Sequence, residues 1–207
     1  MNADSSAGGL DWFDCNARIG PCSAPRPANL NVYDELLDVY DQVGIGRGLV
    51  YHSFAWEWHA PAGNERLLAE IAGEERLSPC LVALPPATRE MGPIEDFAAR
   101  VRELRGAVRI FPAKHNWRLS EWGSGALFDA LNQARVPVLL DFSETNWDEV
   151  AWLLEAHPRM PLILIGTGYR VARYIYPLME RHENFHVESN TYTPFRGVED
   201  FVELFGA

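Results

Sequence analysis

The chain alternates seven times between a short apolar run and an amphipathic segment, and this alternation is the strongest constraint on its fold. Some runs are apolar at every position, such as PLILI at 161–165, which is typical of parallel strands covered on both faces. The predicted strands are Trp12–Asn16, Gly48–His52, Pro79–Leu84, Val108–Phe111, Val136–Asp141, Leu162–Ile165 and Phe185–Glu188. This series of βα units predicts an α/β domain with a parallel sheet.

The segments between the strands have the apolar spacing of helices packed against a sheet. In the first of them, Leu36 and Tyr40 fall on one face, Asn31 is the predicted N-cap and Gly44 the predicted end. Thr145 is the predicted cap of the fifth helix. These signals place one helix after each strand.

Two architectures fit the series, a TIM-type (β/α) barrel and an open doubly wound sheet, and the pattern alone does not choose between them. A barrel has eight units and about 250 residues, whereas the 207 residues supply seven units. We predict a frayed tail over residues 1–10 and a single domain over 11–207, truncated at its C-terminal end. If the first and seventh strands stand open, we expect a homodimer contact there.

Charge and composition narrow the functional classes. The net charge is −11 and Lys114 is the only lysine, so nucleic acid and anionic membranes are excluded as predicted partners. No apolar run has the length of a membrane-spanning helix. The three cysteines are few and odd in number, which favours a reducing cytoplasm over a disulfide framework, and they complete no zinc pattern. A small-molecule substrate remains the predicted partner.

Polar side chains collect near the carboxyl ends of the predicted strands, where both architectures build their sites. Asp14, Asn16 and Arg18 alternate along the first strand, so strand geometry predicts that they point to the same side. Asn16 and Arg18 are candidate substrate-binding residues. Asp141 ends a strand that is otherwise apolar, which predicts a site residue; the alternative is a cap for the next helix through Ser143 or Thr145.

Two histidines are candidate catalytic groups because imidazole titrates near neutral pH. His52 ends the second strand, and the alternative is a histidine hydrogen-bonded at the strand end. His115 follows Lys114 after the fourth strand, where the lysine is a candidate for binding an anionic substrate; the alternative is a solvated loop. Trp56 is predicted to cover the pocket or pack on the barrel rim, and Ser189 is a further candidate for substrate binding after the seventh strand.

The sequence resembles the amidohydrolase-related family of TIM-barrel hydrolases in several places. Residues 12–20, WFDCNARIG, resemble its first-strand motif apolar-Asp-x-His-x-His-x-Gly, with Asn16 and Arg18 in the histidine positions. Further similar segments follow in the family's order: GNER at 63–66 at a helix start, GAVRIFP at 106–112, VPVLLD at 136–141, PLILIGTG at 161–168 and NFHVES at 184–189. The family's eighth strand usually supplies a metal-binding Asp, and no segment here matches it.

The resemblance implies a TIM-type barrel and hydrolase or lyase chemistry on C–N, C–O or C–C bonds. It also implies a metal site in most members, where the metal makes a nucleophile from water. Here Asp141 stands at the strand-five position that is usually His, and Gly166 at the usual strand-six His. Because Arg repels a cation and Gly has no ligand atom, we expect no metal cofactor, with a divalent metal such as zinc as the alternative.

Two functions remain open at this stage. The first is a hydrolase or lyase that acts on a small carbonyl or carboxylate substrate without the usual metal site. In it, Arg18 and Lys114 bind the substrate, while Asp141, His52 or His115 moves protons. The second is a non-catalytic ligand-binding or interaction protein on a degenerate barrel.

Overall fold

Seven parallel strands in sequential order form a curled sheet in the computed structural model, which describes residues 12–24 and 29–206. The strands are β1 (Trp12–Ile19), β2 (Ile45–His52), β3 (Leu77–Val82), β4 (Ala107–Ile110), β5 (Val138–Asp141), β6 (Leu162–Ile165) and β7 (Phe185–Val187). Each strand pairs with the next one along the chain, and no described residues join β7 to β1. The predicted TIM-type barrel with one unit missing is confirmed.

Helices follow the strands and cover the outer face of the sheet. They are α1 (Tyr33–Val43), α2 (Ser53–Glu57), α3 (Ala60–Glu70), α4 (Ile94–Glu103), α5 (Glu121–Ala134), α6 (Trp147–Ala156), α7 (Ala172–Met179) and α8 (Gly197–Phe205). Short 3-10 helices span Pro86–Thr88 and Phe142–Glu144. None of the described helices is long and apolar enough to span a membrane.

Strand alternation divides the apolar side chains into two clusters. The larger cluster, with Val50, Val108 and Leu140, packs between the sheet and the helices. The smaller one, with Leu49 and Leu139, fills the concave inner face. Because adjacent positions of a strand belong to different clusters, a shift of one residue moves a side chain from the outer layer to the inner face.

Several helix starts differ from the predictions. Val32, not Asn31, is the N-cap of α1, and the backbone N–H of Asn31 donates to Glu35 at 2.6 Å. Gly44 ends α1 with a φ of 78°, as predicted. Asn146, not Thr145, caps α6, because its side chain accepts from two backbone N–H groups while the Thr145 hydroxyl donates to Glu149.

The GNER segment lies inside α3, not at a helix start. Helix α3 begins at Ala60 because the His59 side chain caps it and Pro61 suits its first turn. Asn64 is therefore a mid-helix residue, and its buried amide exchanges two hydrogen bonds of 2.8 Å with the backbone of Val82. The segment joins α3 to the end of β3.

Exposed apolar side chains lie on β1 and on α8, the helix that follows β7 in the chain. Trp12 and Phe13 on β1 are 58% and 49% exposed, and Val198 and Val202 on α8 are 51% and 45% exposed. The first and last strands stand open within the described residues, as predicted for seven units. The homodimer contact and the single-domain boundary remain predictions, and the predicted tail at 1–10 lies outside the described residues.

Candidate functional site

A cavity of about 550 Å³ opens at the carboxyl ends of β1, β2, β4 and β5. Four of the predicted site residues line it: Asn16, Arg18, Trp56 and Asp141. The structure therefore brings together side chains that are as many as 125 positions apart in the chain (Asn16 to Asp141). This edge of the sheet is where barrel proteins place their sites.

A β-bulge in β1, between Asp14 and Ala17, changes the directions of the polar side chains on this strand. Asp14 pairs with Gly48 and Ala17 with Val50, so two residues of β1 stand opposite one residue of β2. The Asp14 carboxylate accepts the backbone N–H of Asn16 at 2.8 Å and the Tyr40 hydroxyl, from α1, at 3.1 Å. Asp14 lines the cavity together with Asn16 and Arg18, but its carboxylate contacts Tyr40 of α1, whereas Asn16 contacts Arg109 on the inner face.

Arg109 lies at the centre of the inner face and is only 4% exposed. Its Nη1 donates to Asn16 Oδ1 at 2.7 Å, and its Nη2 is 3.8 Å from Asp141 Oδ2. The guanidinium also lies over the rings of Tyr51 and Phe111, at 5.5 and 5.2 Å from their centroids. Arg109 Nε is buried without a hydrogen-bond partner among the described residues. A permanent cation is thus fixed beneath the cavity.

Two more cations contact the ring of Trp56 at the cavity mouth. The Arg18 guanidinium carbon and the Lys114 ammonium are each 5.2 Å from its ring centroid. Arg18 also donates to Asn29 at 3.4 Å. Burial raises the pKa of Tyr51, and the charges of Arg109 and Arg18 oppose this rise. Lys114 reaches Trp56 from the loop after β4, although it is not a lining residue of the cavity.

Asp141 both lines the cavity and caps the following 3-10 helix, so it meets the geometry of both alternatives that the sequence left open. Its Oδ1 accepts the backbone N–H and the hydroxyl of Ser143, at 2.9 and 2.7 Å, at the start of the 3-10 helix. Its Oδ2 faces Arg109 and the cavity. Gly166, with a φ of 69°, lies beside it, and a Cβ there would be 3.3 Å from Asp141 Oδ1. The carboxylate is held on one side and open on the other.

Glu188 is a second carboxyl group close to Arg109. Burial is the main cause that raises its pKa, and the backbone N–H groups of Asn190 and Gly166 oppose the rise. The charge of Asp14 adds to the rise and that of Arg109 opposes it. Its Oε2 is buried with no hydrogen-bond partner among the described residues. A raised pKa makes a carboxyl group a better proton acceptor once it is ionised.

His52 lies on the outer face, away from the cavity. It is 2% exposed; its Nδ1 accepts the Phe54 N–H at 3.0 Å and its Nε2 is 3.4 Å from a carboxylate oxygen of Glu70. Burial lowers its pKa, while Glu70 acts in the opposite direction. Tyr51, one residue earlier, lines the cavity instead. Here the structure matches the alternative of a histidine hydrogen-bonded at the strand end.

The other two candidates also lie outside this cavity. His115 Nε2 is 2.9 Å from the Trp56 carbonyl oxygen, and its ring packs on Phe111 with centroids 5.6 Å apart. It therefore borders the site through Trp56. Ser189 is exposed, and its carbonyl accepts the N–H of Tyr192 at 3.1 Å. The roles assigned to His52, His115 and Ser189 remain predictions.

The side chains at this cavity are poorly suited to bind a divalent metal. Asn16 and Asp141 offer oxygen atoms, but both contact the Arg109 guanidinium, which repels a cation. Gly166 has no donor at the third position. Within residues 12–24 and 29–206, no group of three His, Cys, Asp or Glu side chains is arranged for a metal. The thiols are no substitute, because burial raises the pKa of Cys15 to about 11 and that of Cys80 to about 12.

Sequence reasoning did not select Arg109, Glu188 or Tyr51 as site residues. A signal existed for Arg109, because a charged residue inside the apolar run AVRIF must find partners when it is buried. Alternation along β4 places it with Ala107 and Phe111 on the inner face. Glu188 was among the strand-end carboxylates, but nothing in the sequence separated it from its neighbours.

Comparisons with known proteins connect this geometry to one group of folds. No protein-family model matches the chain, and no curated protein matches it. Among solved structures, amidohydrolase 2 from Bifidobacterium longum subsp. infantis superposes with a TM-score of 0.59 at 14% identity, covering 96% of this chain and 93% of that one. The alignment thus spans nearly all of both chains.

Two further solved structures share the fold. A probable 2-pyrone-4,6-dicarboxylic acid hydrolase from Acinetobacter baumannii, with citric acid bound, has a TM-score of 0.55 at 13% identity, covering 86% of this chain and 69% of that one. Dihydroorotase from Campylobacter jejuni has a TM-score of 0.53 at 12% identity, covering 93% and 58%. The predicted resemblance to the amidohydrolase superfamily is confirmed for the fold.

Proposed function

We propose that this chain binds a small carboxylate- or carbonyl-containing substrate in the Arg18–Arg109 cavity and acts on it as a hydrolase or lyase without a bound metal. The observation that carries the proposal is the convergence of cations in an acidic chain. Arg18 and Arg109 line the cavity and Lys114 lies at its rim, where they balance the carboxylates Asp14, Asp141 and Glu144 in a protein of net charge −11. Cations grouped at one site favour the binding of anionic substrates.

Each cation has a different position and therefore a different proposed role. Arg18 lies at the mouth beside Trp56, where its planar guanidinium suits a substrate carboxylate. Arg109 lies deeper, and its fixed charge stabilises negative charge that develops on a substrate oxygen. Lys114 adds positive charge at the rim. Binding and charge stabilisation are thus assigned to separate side chains.

The proton transfer is assigned to the carboxyl groups on the inner face. In hydrolysis, Asp141 or Glu188 takes a proton from water as the water oxygen bonds to the substrate carbonyl carbon, and then returns it to the leaving group. Asp141 lines the cavity; Glu188 is not a lining residue but has the raised pKa and interacts with the charge of Arg109. The histidines lack a contact with the cavity, so we assign them supporting roles.

A structural neighbour supports the choice of a carboxylate. The Acinetobacter baumannii structure carries the name of a dicarboxylic acid hydrolase and holds citric acid. At 13% identity this likeness bears on the fold, and the cations of the present cavity supply the chemical argument. The three cysteines are free, and we propose a reducing compartment such as the cytoplasm.

A binding protein without catalysis is the second candidate. The observation that favours it is the mutual pairing of Asn16, Arg109 and Asp141, which occupies the groups that would otherwise meet a substrate. Both candidates require the cavity to bind a carboxylate. They differ only in turnover.

Calorimetric titration with citrate and succinate tests the binding step. We expect Arg18→Gln to weaken binding about tenfold, since a charge-assisted pair contributes about 1.5 kcal/mol. Arg100→Gln is the matched control, because Arg100 pairs with Glu65 on the surface, away from the cavity. Equal affinities for both variants, or no binding by the wild type, would refute the proposed site.

A panel of carboxylate-bearing esters, amides and lactones, assayed after exhaustive chelation, tests the catalytic step. We expect the wild type to keep its turnover after chelation. Asp141→Asn or Glu188→Gln is expected to lower the turnover while the variant still binds citrate. Binding without turnover on any compound would favour the binding protein. Turnover that requires added zinc would contradict the metal-free reaction.

A further inference from the structure

A second cavity of about 780 Å³ lies beside the first, formed by the loops that follow β3, β4 and β5. The two cavities share one lining residue, Glu144. The volume is within the range of small-molecule sites. Of the residues given a role above, His115 is one that lines this cavity, and its role in the first cavity is only a supporting one.

Its walls combine aromatic rings with carboxylates. Trp117 and Trp122 line it, and Trp122 is 83% exposed, which is high for so large an apolar side chain. An exposed indole face is a favourable surface for an organic cation, because the ring carries negative charge density on its face. Leu84, Pro85, Pro112 and Leu119 complete the apolar wall. A flat or apolar body would be buried here.

Carboxylates outnumber cations in the walls of this cavity. Glu90, Glu144 and Glu149 line it against one guanidinium, that of Arg118. Within the described parts of the chain, neither Glu90 nor Arg118 forms an ion pair. Glu149 accepts the Thr145 hydroxyl at 3.0 Å, and Glu144 accepts the backbone N–H of Lys114 at 2.9 Å. Two carboxylates are thus held in place around an anionic cavity.

His115 also lines this cavity. Its Nε2 faces the Trp56 carbonyl at 2.9 Å, so in the neutral ring Nε2 carries the proton and Nδ1 is an acceptor. Nδ1 has no hydrogen-bond partner among the described residues, but it is buried, as is the unpaired donor Trp117 Nε1. The groups that the cavity offers to a ligand are therefore the glutamate carboxylates and the indole faces, which suit a group that only donates.

We propose that this second cavity binds an organic cation: a primary ammonium or guanidinium group on an aromatic or apolar body. The ammonium lies among the glutamates and the body lies against the tryptophans. Such a cation has two sources, the far end of the substrate in the first cavity or a separate small molecule. Both share this chemistry.

Calorimetric titration of the intact protein with benzylamine tests the site, with benzyl alcohol as the neutral analogue. We expect benzylamine to bind and benzyl alcohol to bind at least fivefold more weakly. Glu149→Gln combined with Glu90→Gln is expected to weaken benzylamine about fivefold, as for a partly exposed ion pair of about 1 kcal/mol. Glu155→Gln, an exposed position on the same helix, is the control and leaves the affinity unchanged.

The aromatic wall has its own matched pair of variants. Trp122→Ala is expected to weaken benzylamine about threefold, as for an exposed cation–π contact. Trp58→Ala is the control, because Trp58 is also exposed, at 67%, and does not line this cavity. Circular dichroism confirms that each variant is folded. No benzylamine binding, equal binding of the alcohol, or equal loss in target and control variants would overturn the proposal.

Titrations that include citrate and a compound with both charges decide which of the two sources supplies the cation, and they test this site separately from the carboxylate site. We expect Glu149→Gln to bind citrate with the wild-type affinity. The variant then tests the cation site without disturbing the carboxylate site in the first cavity. If para-aminomethylbenzoate binds more tightly than either benzylamine or benzoate, the cation belongs to the substrate of the first cavity. Additive binding of benzylamine and citrate assigns the cation to a separate molecule. Either result supports a cation site.

Discussion

Arg109 and His52 are both buried polar residues near strand ends, yet they serve different parts of the molecule. Arg109, 4% exposed, faces the inner side of β4 and contacts Asn16 and Asp141 beneath a cavity. His52, 2% exposed, faces the outer side of β2 and joins α2 and α3 through Phe54 and Glu70. The difference is one of strand parity, because adjacent residues point to opposite faces. Arg109, on the inner face, therefore belongs to the candidate site, whereas His52, on the outer face, joins the sheet to the helices. We call this outer layer of sheet and helix contacts the frame.

Removal of the Arg109 side chain is the strongest test of the inner face. We expect Arg109→Ala to lower the free energy of unfolding by about 3 kcal/mol, because it leaves Asn16 and Asp141 without their cation. Citrate binding is expected to be lost. Urea denaturation and calorimetry measure the two effects.

Arg109→Lys supplies the control for charge. It keeps the cation without the planar fork, so we expect stability and citrate affinity between those of the wild type and Arg109→Ala. A fully stable Arg109→Ala that still binds citrate would remove the distinction between the two faces.

Gly48→Ala tests the close packing of the outer face. A Cβ at Gly48 would collide with the Tyr40 hydroxyl and lie 2.9 Å from the Asp14 carbonyl oxygen. We expect a loss of about 2 kcal/mol, typical of overpacking. Thermal and urea unfolding measure it. The same substitution in a Tyr40→Phe background is expected to cost less; an equal cost in both backgrounds would show that the hydroxyl is not the obstacle.

His52→Ala separates a frame role from a catalytic one. It removes the acceptor for the Phe54 N–H, so we expect about 1 kcal/mol less stability and unchanged citrate affinity. Unfolding and binding assays on the same preparation decide it. Loss of turnover at full stability would instead restore the catalytic role predicted from the sequence.

Low pH is expected to reduce the unfolding free energy through protonation of the same histidine. Burial lowers the pKa of His52 below 6.5, as it does for His157. The folded state therefore favours the neutral rings, and their contribution is present above pH 6.5 and lost as the pH falls towards the lowered pKa values. We expect the unfolding free energy to fall less steeply from pH 7 to pH 5 in His52→Gln than in the wild type. Parallel profiles would contradict this.

Lys114→Gln is expected to give the smallest effect. Lys114 is exposed and contributes charge at the rim, so its loss should weaken citrate about twofold at low salt and less at high salt. Titration at two salt concentrations measures this. A tenfold loss would make Lys114 a direct ligand of the substrate and shift the site outwards.

The sequence predicted the seven βα units because each unit carries its own signal, and the family resemblance favoured the barrel over the open sheet. Apolar runs and helical periodicity are local properties, and all seven strands lie where the runs are, with shifts at their ends. Caps were less well predicted: Asn31 and Thr145 gave way to neighbours, because which of several adjacent polar residues caps a helix depends on the path of the chain.

The site was predicted in part for a related physical reason. Strand ends identified Asn16, Arg18 and Asp141, because parallel strands bring their carboxyl ends together. They could not identify Arg109, which lies within its strand and becomes a site residue only through contacts with β1 and β5. The bulge after Asp14 was likewise invisible, since an extra residue is defined only by its pairing with β2.

The sequence by itself determined seven parallel units, an acidic surface and a set of polar strand ends that resemble the amidohydrolase superfamily, because periodicity, charge and motif are properties of short segments. Tertiary structure alone decided which of those polar groups meet. It placed the Arg109 cation between Asn16 and Asp141, turned Asp14 and His52 towards the helices, and opened two neighbouring cavities that share Glu144. The physical reason is that the facing of a side chain depends on strand register, which only pairing between distant segments fixes.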